Sequence, residues 1–210
     1  RYGTLSEKEL LTWAKELGIT QLALTDINNT SACMNFVRLA PNYGIKPIIG
    51  LDFRNGADQL YIGLAKNNEG FLALNDFLSK YKYEGDDLPD EAPHFEPAFI
   101  IYPYNKASLL RKKTYHKNEY IGVAPEDLSH LTFSPIKELR DRLVVLQTVT
   151  FKHRTHFNTH RLLRAIANNT LLSKLPKHEE GDLNHQMRPP LEIEQIFSDY
   201  TELIPNTHKL

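Results

Sequence analysis

At 210 residues, with 41% hydrophobic and 24% charged, the chain can bury the core of one α/β domain and has the balance of a soluble globular protein. A formal net charge of −1 removes any global basic excess, so nucleic-acid binding would need a local patch or another part of a longer protein. One cysteine, Cys33, excludes a disulfide framework and a cysteine-rich zinc site and fits a reducing cytoplasm, and no apolar run approaches the roughly 20 residues of a membrane span.

The chain opens on Arg1 rather than methionine, with no strand before its first helix, and reads as a fragment whose first strand lies upstream. Ser6 and Glu9 form a capping box for an amphipathic helix carrying Leu10, Leu11, Trp13, Ala14 and Leu17, closed by Gly18. Ile19 to Leu24 reads as a buried strand ending at Thr25-Asp26, Asn28 to Thr30 as a turn, and Ser31 to Leu39 as a helix. After Gly44, Ile45 to Phe53 is a second strand and Leu60 to Ala65 a third. Asn67 to Gly70 reads as a turn and Phe71 to Tyr81 as a helix, and 84–96 is acidic with Gly85 and Pro89, an exposed loop. Ala98 to Tyr102, Ile121 to Ala124 and Leu143 to Thr150 are further strands. Asn158 to Asn168 is a helix with Leu162, Leu163 and Ile166 as its apolar face. Lys174 to Arg188 is a polar loop, and Pro190 to Tyr200 is a last helix with Ile193, Ile196 and Phe197 inward.

Helix and strand alternate throughout, which predicts an α/β fold with a parallel sheet or barrel, one domain over 1–210. In such folds chemistry sits at the carboxyl ends of strands. That rim would carry Asp26, Asp52, Gly122 and Thr148 to Thr150.

Several blocks resemble one family. Leu22-Ala23-Leu24-Thr25-Asp26-Ile27 is similar to a strand ending in Thr-Asp-His, the second motif of PHP (polymerase and histidinol phosphatase) domains. Gly44 to Asp52, Leu64 to Leu74 and Phe197 to Thr207 resemble, in the same order, blocks of the PHP domain of bacterial DNA polymerase III alpha subunits. The resemblance implies a distorted (β/α)7-like barrel, with 190–210 an exit helix toward the polymerase body.

Active PHP domains hydrolyse phosphoesters with two or three metal ions held by His, Asp and Glu, which polarise the phosphoryl oxygen and acidify bound water. Carried over by motif, Asp26 keeps the family aspartate, Ile27 stands where histidine is expected, and Asp52 stands for a glutamate. Tyr2 takes an aspartate position, Gly122 a glutamate position, and Gln147-Thr148-Val149-Thr150-Phe151 replaces Asn-Asp-Val-His-Tyr, so that Thr148 and Thr150 stand for aspartate and histidine. The site is expected to be degenerate, with Asp26 and Asp52 as vestigial metal ligands. An alternative for Asp26 is a cap on the Asn28 to Ser31 turn.

His153, His156 and His160 at i, i+3 and i+7 would share one helix face, a zinc pattern short of the usual four ligands. Lys152, Arg154, Arg161 and Arg164 form the most basic stretch, a candidate contact for DNA phosphates against the alternative of a solvated helix face, and Arg111-Lys112-Lys113 reads as a surface turn.

The resemblance implies a longer chain with DNA-directed polymerase activity, whose magnesium sits in a palm outside this fragment. This part would be a cytoplasmic structural domain with no cofactor of its own. Its partners would be the rest of the alpha chain and a proofreading exonuclease subunit, with DNA, sliding clamp and clamp loader reached through the longer chain and no membrane. The alternative is a residual zinc- or manganese-dependent 3′–5′ exonuclease or pyrophosphatase.

Overall fold

A computed structural model describes residues 3–110 and 114–210, so Tyr2 and the Arg111 to Lys113 cluster lie outside the described residues. Six strands form one curled sheet in sequence order: β1 (Gln21–Ile27), β2 (Lys46–Asn55), β3 (Asp58–Ala65), β4 (Ala98–Pro103), β5 (Glu119–Val123) and β6 (Leu143–Val145). The helices are α1 (Glu7–Glu16), α2 (Cys33–Leu39), α3 (Asn68–Glu84), α4 (Tyr104–Leu110), α5 (Leu128–Leu131), α6 (Arg154–Ala167), α7 (Pro190–Ile196) and α8 (Leu203–Thr207).

The sheet is mixed, where the sequence pattern predicts a parallel one. β1 and β2 are parallel, as are β4, β5 and β6, but β3 runs antiparallel to both its neighbours. The reason is local. Only Gly56 and Ala57 separate β2 from β3, and Gly56 has φ +59, so the chain turns back as a hairpin instead of crossing over. Five strands therefore share one direction, and their carboxyl ends meet at one rim, joined there by the first residues of β3.

Alternation assigns the two faces of the sheet. Leu51, Phe53, Tyr61, Ile100, Tyr102, Ile121 and Val123 pack outward with Leu74 and Leu78 of α3 in the main core. Leu22 and Leu24 pack the same way against Leu11, Trp13 and Ala14 of α1 and Phe36 of α2. The concave face is a small apolar cluster of Ile62, Leu64, Ile101 and Val144, with Ile48, Tyr120, Leu146 and Leu210 around it.

Local signals hold at α1, where Ser6 and Glu9 make the expected reciprocal capping box. Elsewhere tertiary contacts shift the boundaries. Asn67 to Gly70 is the start of α3, because the Asn67 side chain accepts a hydrogen bond from Gly70 N–H and caps it. The irregular stretch after α3 is not wholly exposed, since Leu88, Ala92 and Phe95 are buried in the main core. The strand expected over Leu143 to Thr150 stops at Val145, and Thr150 bonds instead to His185 and Thr4. The last helix breaks into α7 and α8 around buried Phe197. The expected apolar face of α6 is largely turned over: Phe157 and His160 pack on buried Phe151 and Leu163 is half-buried, while Leu162 and Ile166 face solvent.

Candidate functional site at the strand ends

Asp26 and Asp52 do not converge. In the β1–β2 ladder Asp26 lies beside Leu51, and Ile27 lies beside Asp52. Ladder partners share a face, so Asp26 points outward with Leu51, toward the helices, and Ile27 and Asp52 point into the concavity. The Asp26 charge acts on the buried Cys33 thiol of α2, which burial first and this carboxylate second push up to about 11. Nor is the Asn28 to Ser31 turn capped by Asp26 in the way expected: Ser31 N–H donates to the Asn29 carboxamide oxygen at 2.8 Å.

Asp52 is buried and answered by a cation of its own strand. Arg54 Nε and Nη2 both donate to Asp52 Oδ2, at 3.0 and 2.7 Å. Residues i and i+2 of a strand share a face, and both side chains are buried. Burial raises the Asp52 pKa, and the guanidinium opposes that shift by attraction and hydrogen bonding. Asn28, with φ 46, fixes the backbone beneath Arg54: its side chain donates to Arg54 O at 2.7 Å and accepts from Arg54 N–H at 3.0 Å.

Around this pair the concave face is hydrocarbon. Asp52 lies between Ile27 of β1 and Ile62 of β3, and Ile62 lies beside Ile101. At Gly122 a Cβ would meet Ile101 Cγ2 and Leu146 Cβ, each at 2.9 Å. The space for a glutamate stem at this position is thus already filled by two aliphatic side chains.

The segment expected to be a free polar loop, 174–188, crosses the rim and closes it. Thr150 N–H donates to His185 O at 2.9 Å, and Thr150 O accepts from Thr4 N–H at 3.1 Å. The Thr150 hydroxyl and His185 Nδ1 are 3.4 Å apart. Burial, reinforced by repulsion from Arg54 and His160 and only partly offset by Asp182, lowers the His185 pKa to about 4. Thr148 lines a partly open cleft of about 20 Å³, room for about one water, with Leu146, Gln147, Asn184, His185 and Arg188 among others.

His160 is fully buried and its Nε2 accepts from Gly181 N–H at 2.8 Å. That lone pair is therefore occupied by the crossing segment. His153 and His156 stack on each other at 4.1 Å by the start of α6, apart from this bond, so the three histidines do not meet as a zinc face. The basic stretch is likewise divided. Arg161 pairs with Glu180 at 2.7 Å, Arg164 pairs with Glu179, and Lys152 pairs with Glu16 at 3.2 Å, while Arg154 is exposed. Two of the four cations tether the crossing segment to α6.

The residues at this rim do not fit a two- or three-metal cluster. Among the described residues no group of three or more His, Cys, Asp or Glu side chains could hold a metal ion, and the best-placed carboxylate has one oxygen engaged twice by a guanidinium. Sequence reasoning missed Arg54 and His185. The Asp-x-Arg spacing on a strand is a usable signal for an ion pair. His185 has none, because a distant segment delivers it.

A family model described as "PHP domain" matches residues 2–170. The chain is similar to the DNA polymerase III subunit alpha of Xylella fastidiosa (strain 9a5c), 35% identical over 132 residues, covering 61% of this chain and 10% of that protein. It is also similar to the subunits of the same name from Neisseria meningitidis, 22% identical over 245 residues, and Escherichia coli K12, 24% over 241 residues, each covering 98% of this chain and 21% of the relative. The chain thus spans between a tenth and about a fifth of the length of these relatives. The resemblance read from the ordered blocks is borne out, as is the α/β barrel-like fold class.

Proposed function

This chain belongs to the PHP domain family, and on that premise we propose that it is a non-catalytic scaffold domain of a replicative DNA polymerase alpha chain. The observation that supports this reading is the Asp52–Arg54 pair, in which the rim carboxylate is bonded twice to a guanidinium. A buried carboxylate bonded in this way is costly to leave without Arg54, and in this reading it holds the guanidinium rather than a metal ion.

In this reading polymerisation, its palm magnesium, DNA, sliding clamp and clamp loader belong to the longer chain and its assembly, which work in the cytoplasm. Among the described residues no helix is long and apolar enough to cross a membrane. In this reading 3′-end proofreading falls to a separate exonuclease subunit, for which this domain is the proposed dock.

The test uses the natural full-length chain and its Asp52→Asn variant, with zinc or manganese and a 3′-mismatched primer or a model phosphodiester. The scaffold reading expects no hydrolysis above the buffer rate from either protein, and a lower thermal midpoint for the variant. Metal-dependent hydrolysis that disappears in Asp52→Asn overturns it.

A further inference from the structure

We propose that the outward face of the second half of α6, with the turn after it, is the surface on which the remainder of a longer alpha-type chain rests. This inference presupposes the scaffold reading above. α6 buries His160 and Ala165, half-buries Phe157 and Leu163, and leaves Leu162 and Ile166 outside. Leu162 is 51% exposed and Ile166 66%, one turn apart on the same face. The chain then folds back. Asn169 N–H donates to Ile166 O at 3.1 Å and Thr170 N–H to Ala165 O at 2.9 Å. This brings Leu171, 65% exposed, and Leu172, 39% exposed, to the end of the same helix. Asn158 and Thr159, exposed one turn before Leu162, give the strip a polar edge, and an apolar centre with a polar rim is the build of an interface. Elsewhere Met34 and Val37 make a smaller exposed pair on α2, and Leu72 and Phe133 are singles, which surfaces tolerate.

Area and length decide the occupant. Four aliphatic side chains at these exposures present roughly 300–400 Å² of apolar surface. A stable association of free partners buries about 800 Å² on each side, so a second copy of this chain is poorly served. A neighbour on the same polypeptide needs much less, because the tether holds it at an effective concentration of about millimolar. The region aligned with this chain is only 21% of the Neisseria and Escherichia relatives, so most of such a chain lies outside it. The facing surface should be apolar at its centre and polar at its edge.

The test is alkylation of single cysteines introduced into the natural full-length chain, at Leu162→Cys, Ile166→Cys, Leu72→Cys and Met34→Cys. Each rate is normalised to the rate in denaturant. In this chain alone Ile166, Leu72 and Met34 are 66%, 60% and 63% exposed, so they should react alike if nothing covers them. The expected result is labelling at 162 and 166 slower by at least about tenfold than at 72 and 34. Fast labelling at 162 and 166 with slow labelling at 72 or 34 overturns the choice of face and leaves the scaffold reading standing. Fast labelling everywhere removes both. Slow labelling at 162 and 166 that is relieved by dilution assigns the face to a second copy and overturns the proposal.

Discussion

At the carboxyl ends of the strands, polar groups are few and most are engaged, although Asp52 Oδ1 and Gln147 Nε2 lie buried without a hydrogen-bond partner among the described residues. Asp52 has Arg54, Thr150 has His185 and Thr4, and His160 has Gly181. Between them lie Ile27, Ile62, Ile101 and Leu146. On the outer side of α6 the opposite holds: Leu162, Ile166 and Leu171 stand in solvent. A rim whose polar groups are mostly engaged offers little to a substrate or a metal, whereas a helix with open apolar groups keeps hydrocarbon in contact with water until something covers it. The proposed working surface is accordingly on the outside of this domain.

The sharpest way to break that comparison is to put the family carboxylate back. Gly122→Glu drives a stem into Ile101 and Leu146 at 2.9 Å and buries a charge without a partner. The expected loss is about 4 kcal/mol or more, up to failure to fold, read by urea titration. An unchanged midpoint would mean that the rim opens easily.

Next is the ion pair itself. Arg54→Met leaves Asp52 buried and unanswered, and should cost about 3 kcal/mol, whereas Asp52→Leu with Arg54→Met together should come out near neutral. Equal losses for the single and double variants would show that the pair does not act as a unit.

His185 sharpens the comparison through pH. Its pKa is lowered from 6.5 to about 4, so the folded chain refuses a proton that the unfolded chain accepts. This contribution is fully present above about pH 6.5 and is lost as pH falls through that window toward 4. After allowance for its partial exposure, the loss is on the order of 2 kcal/mol. His185→Gln should flatten the stability-versus-pH curve between those limits. A curve of unchanged slope would exclude His185 as its source.

The smallest effect is expected on α6. In this chain by itself, Leu162→Asn and Ile166→Asn should each shift stability by less than about 0.5 kcal/mol, because neither side chain is buried. A loss of several kcal/mol at either position would show that the face is internal after all.

Short-range features were readable from the residues. The Ser6–Glu9 box, the Gly44 stop and the strand cores of β2 and β4 follow from capping, positive φ and apolar runs. The reversal of β3 was written in Asn55-Gly56, a turn signal between two strand patterns, and went unread against the prior of βαβ alternation. The resemblance implies ligands at the positions of Ile27 and Gly122, but it does not tell what fills the space around them. Packing of Leu146 into the Gly122 space depends on where β6 ends. The burial of His185 depends on a segment whose own pattern is only polar. The inversion of α6 has the same cause: periodicity shows that a helix has an apolar face, but the Phe151 contact decides which face is buried.

The most direct measurement is metal content by elemental mass spectrometry, on the natural full-length chain equilibrated with zinc and manganese and then desalted, with Asp52→Asn in parallel. Metal of the polymerase palm is common to both proteins and cancels in the difference. The account predicts a difference of less than about a tenth of an equivalent, since a preformed cluster binds tightly. Two or three equivalents held by the natural chain and lost in the variant would contradict it.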